Sequence, residues 1–319
     1  MQIRILSSDD IKKALSMPKA IDAMRIAYGQ LSSGQAKVPI RPQISTDKGD
    51  TLFIPAYLSK THNLGIKVVS IYGDNPSKGL PRITATVLLI DQETGLPRAF
   101  MDGSILTAIR TGAGGGLAAE LLSRQNSETV ALFGAGIQAR TQLQAVMAVR
   151  KIGYVYVISR TQDSAQKLAE EILDWHYTPI INITSSPKEA VRNADIIITA
   201  TTSSTPLFNG EDLKVGTHIT AIGSYTPEKR EVDSITAQRA RIVVDSREAC
   251  LAEAGDILIP GVEIDAEIGE IINGDKPARQ SDAEITLFKS VGVAVQDIVS
   301  ASIVLNEAEA LGLGKIIEI

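Results

Sequence analysis

The spacing of apolar residues along the chain predicts two structural regimes. In the first, apolar positions recur every three or four residues from Ile11 to Tyr28, which predicts one helix, capped by Asp9 or Asp10 and ended by Gly34. From residue 38 to 100 the pattern changes to short β-type runs separated by Gly and Pro, which predicts a meander with a hairpin turn at residues 91–95.

In the second regime, beginning near residue 105, helical and strand patterns alternate. Predicted helices cover residues 104–122, 137–150, 162–175 and 290–311, and predicted strands cover 129–134, 154–159, 180–183, 195–201, 217–223 and 241–245. Such alternation is typical of an α/β fold with a parallel sheet.

Composition narrows the class of protein. A chain of 319 residues with 44% hydrophobic and 22% charged residues is typical of about two globular domains. No apolar stretch approaches the roughly 20 residues of a membrane span, and no signal peptide is visible, so a cytoplasmic location without membrane attachment is expected. The single cysteine, Cys250, forms no internal disulfide, and three scattered histidines argue against a metal site.

The charges are unevenly distributed. Residues 1–120 carry 14 Lys and Arg against 10 Asp and Glu, whereas the remainder of the chain is acidic. This small surplus, without basic clusters or interleaved aromatics, argues against nucleic acid and is better suited to a small anion.

A glycine pattern gives the strongest functional signal. Residues 130–139 (VALFGAGIQA) place Gly134, Gly136 and Ala139 between a predicted buried strand and a predicted helix. This order predicts a Rossmann-type dinucleotide turn, with the pyrophosphate at the helix N-terminus.

The end of the next strand bears on which dinucleotide binds. It reads Ser159-Arg160-Thr161, without the acid that usually binds a ribose 2′-hydroxyl. Because Arg160 can pair with a 2′-phosphate, NADP(H) is favoured and NAD(H) remains possible. If Arg160 is only a solvated residue at a helix start, either cofactor binds.

A second glycine-rich segment, residues 110–116 (RTGAGGG), precedes this domain. Its glycines allow either close helix packing or contact with a phosphate. Arg110, at the predicted domain junction, could reach a ligand cleft.

Several further blocks occur in a recognisable order. They are residues 38–42 (VPIRP), 65–69 (GIKVV), 79–81 (GLP), 107–113 (TAIRTGA), 288–292 (FKSVG) and 296–297 (QD). Together with the glycine turn, these blocks resemble the ornithine cyclodeaminase/mu-crystallin family over essentially the whole chain. Residues 244–270 look most like its mu-crystallin branch, which includes ketimine reductases.

The resemblance implies the fold and the site. It implies a smaller α+β substrate-binding and dimerisation domain (residues 1–115 with 305–319) beside a doubly wound Rossmann domain (residues 116–304), and a homodimer. Arg41, Lys67 and Arg110 would bind the carboxylate of a small imino or amino acid, which suits arginine chemistry. Glu253 would exchange a proton with the imine nitrogen.

The expected cofactor contacts extend beyond the glycines. The full set is Thr111, Gly134, Gly136, Ile137, Gln138, Ala139, Ser159, Arg160, Thr161 and Thr201.

One position departs from part of the family. Ornithine cyclodeaminases and archaeal alanine dehydrogenases have an Asp in the loop where this chain has Tyr225, a candidate substrate contact. A phenol replaces a carboxylate poorly in binding an ammonium group or activating water.

The expected reaction is therefore NAD(P)H-dependent reduction of Δ1-pyrroline-2-carboxylate to L-proline, or of Δ1-piperideine-2-carboxylate to L-pipecolate. Ornithine cyclodeaminase, alanine dehydrogenase and a non-catalytic crystallin-like binding protein remain the alternatives.

Overall fold

The computed structural model describes residues 2–39 and 41–318, so Ile40 of the VPIRP block lies outside the described residues. Its strands are β1 (Gln2–Leu6), β2 (Ala36–Lys37), β3 (Gln43–Thr46), β4 (Gly49–Leu58), β5 (Asn63–Ile71), β6 (Ile83–Ile90), β7 (Pro97–Asp102), β8 (Thr129–Phe133), β9 (Tyr154–Ile158), β10 (Ile180–Ile183), β11 (Ile196–Thr199), β12 (His218–Ala221), β13 (Arg241–Val244), β14 (Ala266–Glu267), β15 (Thr286–Lys289) and β16 (Lys315–Glu318).

The α-helices follow the same chain order. They are α1 (Ser8–Ala14), α2 (Met17–Ser32), α3 (Gly103–Leu122), α4 (Ile137–Val149), α5 (Gln162–Leu173), α6 (Pro187–Asn193), α7 (Ser234–Arg239), α8 (Arg247–Glu253), α9 (Gly255–Leu258), α10 (Ile268–Ile272) and α11 (Ala294–Leu311). Within the described part of the chain, none of these helices is long and apolar enough to span a membrane.

The chain divides into two compact units, residues 1–110 with 293–319, and residues 111–292. The expected boundaries were about 115 and 305. The second boundary differs because α11 is one continuous helix that belongs entirely to the first unit, whereas a boundary at 305 would cut through it.

The first unit is a mixed sheet covered by helices. Its strand order is β16-β1-β7-β6-β5-β4-β2, with β3 added to β4, and all pairs except β1 with β7 are antiparallel. The hairpin predicted at residues 91–95 joins β6 to β7. Helix α11 packs on α2 and on β4, β5 and β6.

The N-terminal helix prediction was wrong in two respects. The segment forms two helices, because α2 restarts after Ser16 with Pro18 in its first turn, where a missing N–H costs nothing. The cap of α1 is Ser7, and Asp10 completes a capping box with it.

The second unit confirms the predicted α/β class. Its eight strands are all parallel, in the order β10-β9-β8-β11-β12-β15-β13-β14. Along β8, Val130 and Leu132 join a core that includes residues of α4 and α5, while Ala131 and Phe133 join a second core that includes residues of α6. Both faces of the strand are therefore buried, as a doubly wound sheet requires. The sequence reading missed β15, which lies between β12 and β13.

Candidate active site

The glycine turn after β8 has the backbone that a dinucleotide site requires. Gly134 has φ +109°, and a Cβ there would lie 2.5 Å from the carbonyl oxygen of Ala200. A larger residue would therefore be both strained and obstructed. The N–H of Gly134 donates to the carbonyl of Ile158 at 2.8 Å, which fixes the turn against the end of β9.

Helix α4 begins directly after this turn. Its N-cap is Gly136, which supplies no side-chain cap and has open space where a Cβ would stand. The first-turn N–H groups of Ile137, Gln138 and Ala139 have no partner within the helix, so they can bind an anion. The side chain of Ala139 is fully buried, so a cofactor contact there would come from its backbone.

The predicted ribose-binding residues follow β9. Thr161 caps α5 by accepting a hydrogen bond from the N–H of Ser164 at 3.3 Å. Arg160 is exposed and forms no ion pair with the residues that the structure describes. Its guanidinium group is thus available to a ligand, while Thr161 also has a structural role.

The second glycine-rich segment lies inside α3 and serves helix packing. A Cβ at Gly112 would lie 2.5 Å from the carbonyl oxygen of Thr141 on α4, and one at Gly115 would overlap Oε1 of Gln142. Gln142 also donates to the carbonyl of Thr111 at 2.8 Å. Of the two roles that the sequence allowed for these glycines, this geometry favours close packing.

Thr201, a predicted cofactor contact, is held by an acid that the sequence reading missed. Its N–H and hydroxyl donate to Oε1 of Glu231 at 2.7 and 2.6 Å. Glu231 is fully buried, and burial raises the pKa of its carboxyl, although the hydrogen bond from Thr201 and the Lys289 ammonium oppose that rise.

In the first unit, the structure brings two predicted carboxylate-binding residues, Lys67 and Arg110, together around the side chain of an acid, Asp297. Lys67 on β5 places Nζ 2.6 Å from Oδ2 of Asp297, and Arg110 on α3 places Nε 2.9 Å from its Oδ1. All three side chains are buried. Asp297 lies in one of the family blocks, but the sequence alone assigns it no role. An acid on the predominantly apolar helix α11 was the available signal.

Neutral groups fix the guanidinium of Arg110 further. Its Nη1 donates to Oε1 of Gln296 at 2.7 Å, and Nε2 of Gln296 donates to the hydroxyl of Tyr28, also at 2.7 Å. Gln296 and Tyr28 are buried as well. Arg110 therefore has a defined orientation before any ligand binds, which lowers the entropy cost of binding.

The electrostatics of this cluster act on Lys67. Burial lowers the pKa of Lys67 to about 8; the Asp297 carboxylate opposes this effect, and the Arg110 and Arg41 guanidinium groups add to it. Arg41, half-buried ahead of β3, is thus close enough to contribute to the same cationic group.

The remaining predicted site residues lie in the second unit. Glu253 is the last residue of α8 and is half-buried, whereas Tyr225 is 53% exposed in the loop after β12. Their roles toward substrate stay predictions.

Comparisons with known proteins agree with this geometry. The family model described as "Ornithine cyclodeaminase/mu-crystallin family" matches residues 1–311. A Δ1-pyrroline-2-carboxylate reductase of Bacillus cereus is 37% identical over 324 residues, covering 98% of this chain and 99% of the relative.

Two solved structures superpose closely on this chain. The structure of Thermococcus litoralis Δ1-pyrroline-2-carboxylate reductase in complex with NADH and L-proline has a TM-score of 0.91 and 41% identity, covering 98% of this chain and 99% of the other. An archaeal alanine dehydrogenase dimer with bound NAD has a TM-score of 0.92 and 35% identity, with complete coverage of both chains. The chain therefore belongs to the ornithine cyclodeaminase/mu-crystallin family.

Proposed function

We propose that this protein reduces the C=N bond of a cyclic ketimine carboxylate, with a reduced nicotinamide dinucleotide as hydride donor. The substrate would be Δ1-pyrroline-2-carboxylate, giving L-proline, or Δ1-piperideine-2-carboxylate, giving L-pipecolate. The observation that most supports this proposal is the buried cluster of Lys67, Arg110 and Asp297, in a chain that also has a glycine turn suited to a dinucleotide. The Bacillus cereus relative is named for the first of these reactions, and the Thermococcus litoralis structure holds NADH with L-proline.

The residues after β8 and β9 fit a dinucleotide. The open space at Gly136 and the first-turn N–H groups of α4 would hold the pyrophosphate. When bound, the reduced nicotinamide supplies the hydride that reduces the imine carbon. Ser159 and Arg160 would bind the adenosine ribose. The two solved relatives contain NADH or NAD. In this chain the exposed Arg160 could pair with a 2′-phosphate, which supports binding of both NADH and NADPH with a preference for NADPH.

The cationic cluster would bind the substrate by its carboxylate. Lys67 and Arg110 are two cations that share one carboxylate, Asp297, so these three side chains carry a net positive charge while Lys67 is protonated. Arg41 is close enough to Lys67 to lower its pKa. Asp297 reduces the repulsion between Lys67 and Arg110 and fixes both groups. A small monoanion then finds prepositioned donors, which orients its imine face.

Protonation of the ring nitrogen needs a separate group. We assign it to Glu253, directly or through water, on the resemblance to the mu-crystallin branch. Lys67 is expected to remain an ammonium below about pH 8 and to act in carboxylate binding. The Tyr225 position, where deaminating relatives are expected to carry Asp, supports reduction of an imine that is already cyclic over ornithine cyclodeamination.

We also propose that the protein is a homodimer. The face of the first sheet opposite Lys67 carries apolar side chains that remain partly accessible: Phe53, Ile66, Val68, Leu88 and Phe100. A contiguous apolar face of this kind is typical of a protein–protein interface. Light scattering coupled to size exclusion tests this state, and a monomer at micromolar concentration would contradict it.

The decisive assay follows NADPH and NADH oxidation with each candidate substrate. We expect turnover with pyrroline-2-carboxylate or piperideine-2-carboxylate and none with pyruvate plus ammonia. Alanine dehydrogenase is the second candidate, because an archaeal enzyme of that name superposes over the complete chain. Oxidation of NADH or NADPH that needs both pyruvate and ammonia, with no turnover of either cyclic imine, would replace the reductase proposal by an alanine dehydrogenase. Binding of NADPH without turnover of any substrate would favour a non-catalytic binding protein.

A further inference from the structure

The carboxylate of Glu231 joins two loops at the carboxyl edge of the parallel sheet. Oε1 accepts the N–H and hydroxyl of Thr201 at 2.7 and 2.6 Å, and Oε2 accepts the N–H of Gly223 at 2.8 Å. Thr201 follows β11, Gly223 follows β12, and these strands are neighbours. One buried side chain thus sets the separation of the two loops.

These loops also meet the glycine turn. A Cβ at Gly134 would lie 2.5 Å from the carbonyl oxygen of Ala200 and 3.4 Å from Cγ2 of Thr201. A Cβ at Gly223 would lie 2.5 Å from Oε1 of Glu231. The loops after β11 and β12 therefore both contact Glu231, and the glycine turn after β8 packs against the first of them. Moving the carboxylate would displace the loops at Thr201 and Gly223.

A buried ion pair holds the backbone of Glu231 in turn. Oδ1 of Asp256 accepts the N–H groups of Glu231 and Val232 at 2.7 and 3.0 Å, while Oδ2 lies 2.7 Å from Nζ of Lys289. Lys289 also donates to the carbonyl of Ser224. Burying three ionisable side chains carries a desolvation cost that an apolar core would avoid, so a geometric role is the better explanation for their presence.

The place of these loops in the sheet indicates what they support. Strand order reverses beside β8, with β9 and β10 on one side and β11 and β12 on the other. A dinucleotide binds outside this edge, across the point of reversal. The β9 side holds the expected adenosine-ribose contacts, so the β11 and β12 loops remain for the nicotinamide half.

We propose that Glu231 is a positioning residue for the cofactor, holding the loops at Thr201 and Gly223 so that they support the nicotinamide–ribose half of the dinucleotide. This inference rests on the proposed reductase function. Glu231 acts through Thr201 and Gly223 and needs no contact with the ring.

The test is Glu231→Gln, which keeps the shape but turns one acceptor oxygen into an N–H donor facing another donor. The matched control is Glu228→Gln, the same change at an exposed site three residues earlier. NADH affinity is measured by fluorescence titration without substrate, and kcat and KM are measured with the imine. We expect NADH affinity and kcat each to fall about tenfold or more in Glu231→Gln, because a ring displaced by about 1 Å reacts poorly. The imine KM and all Glu228→Gln values should stay near wild type.

A lower melting temperature with wild-type NADH affinity and kcat would overturn the proposal and leave Glu231 a purely structural residue. If Glu231→Gln does not fold, Thr201→Ser and Thr201→Val replace it. The serine variant keeps the hydroxyl that donates to Glu231 and the valine variant lacks it, so NADH affinity and kcat should fall further in the valine variant than in the serine variant. Equal losses in the two variants would contradict the inference. If the wild-type protein turns over no imine, the reductase proposal fails, while the NADH titrations still test the role of Glu231.

Discussion

Asp297→Asn is the sharpest perturbation of the cationic cluster. The amide matches the carboxylate in shape but carries no charge, and only its oxygen can accept a hydrogen bond. Either Lys67, now 2.6 Å from the carboxylate, or Arg110, at 2.9 Å, must then face an N–H donor. Both cations are buried and would lose their counter-ion together.

The expected magnitude follows from this burial. Removing one partner of a buried ion pair costs about 3–5 kcal/mol of unfolding free energy, because the remaining charge stays desolvated. Since the amide oxygen still accepts one bond, we expect a loss near the lower end, about 3 kcal/mol. At about 2–4 °C per kcal/mol, the melting temperature should fall by about 6–12 °C.

The substrate kinetics provide the functional readout. The Asp297 carboxylate raises the pKa of Lys67 against the effect of burial. Without that carboxylate the pKa should fall below about 8, so Lys67 loses its proton at a lower pH. We therefore expect the imine kcat/KM of Asp297→Asn to decline at a lower pH than that of the wild type, with NADH affinity unchanged.

The control is Glu309→Gln on the same helix. Glu309 lies 3.6 Å from Arg98 in an exposed pair, which contributes only about 0–1 kcal/mol. Urea unfolding and imine kinetics across pH are compared for the two variants. If Asp297→Asn matches Glu309→Gln in both stability and pH profile, the reasoning about the buried cluster is refuted.

Three further predictions address individual groups. Arg110→Ala should raise the imine KM and lower kcat while NADH affinity stays nearly intact in titration; unchanged imine kinetics would remove Arg110 from the site. Arg160→Ala should weaken NADPH more than NADH in parallel titrations, and equal losses would contradict pairing with a 2′-phosphate. In the wild type, imine kcat/KM should decline as pH rises through about 8, because Lys67 becomes neutral there. If a Lys67→Met variant still shows this decline at high pH, another group is responsible for it.

Local sequence patterns predicted much of the second unit. The run from β8 through the glycine turn into α4 was predicted within a residue or two, because a continuous apolar run, a required glycine and helical spacing all act over short distances. The break between α1 and α2 was missed, because the apolar spacing continues across Ser16 although the backbone is not helical there. Strand β1 was also missed, because it is stabilised by β16 at the other end of the chain.

The two acids at the centre of the sites show the limit of sequence alone. The glycine pattern predicted a dinucleotide turn, and the family resemblance implied a group of cations for a small carboxylate. The counter-ion of that group was decided by tertiary structure, because Asp297 is 230 residues from Lys67 and 187 from Arg110 along the chain. Likewise, the hydrogen bonds of Glu231 to Thr201 and Gly223 form only because the fold places the ends of β11 and β12 side by side. Propensity and periodicity describe neighbours in sequence, whereas burial and charge pairing depend on neighbours in space, which only the packed fold brings together.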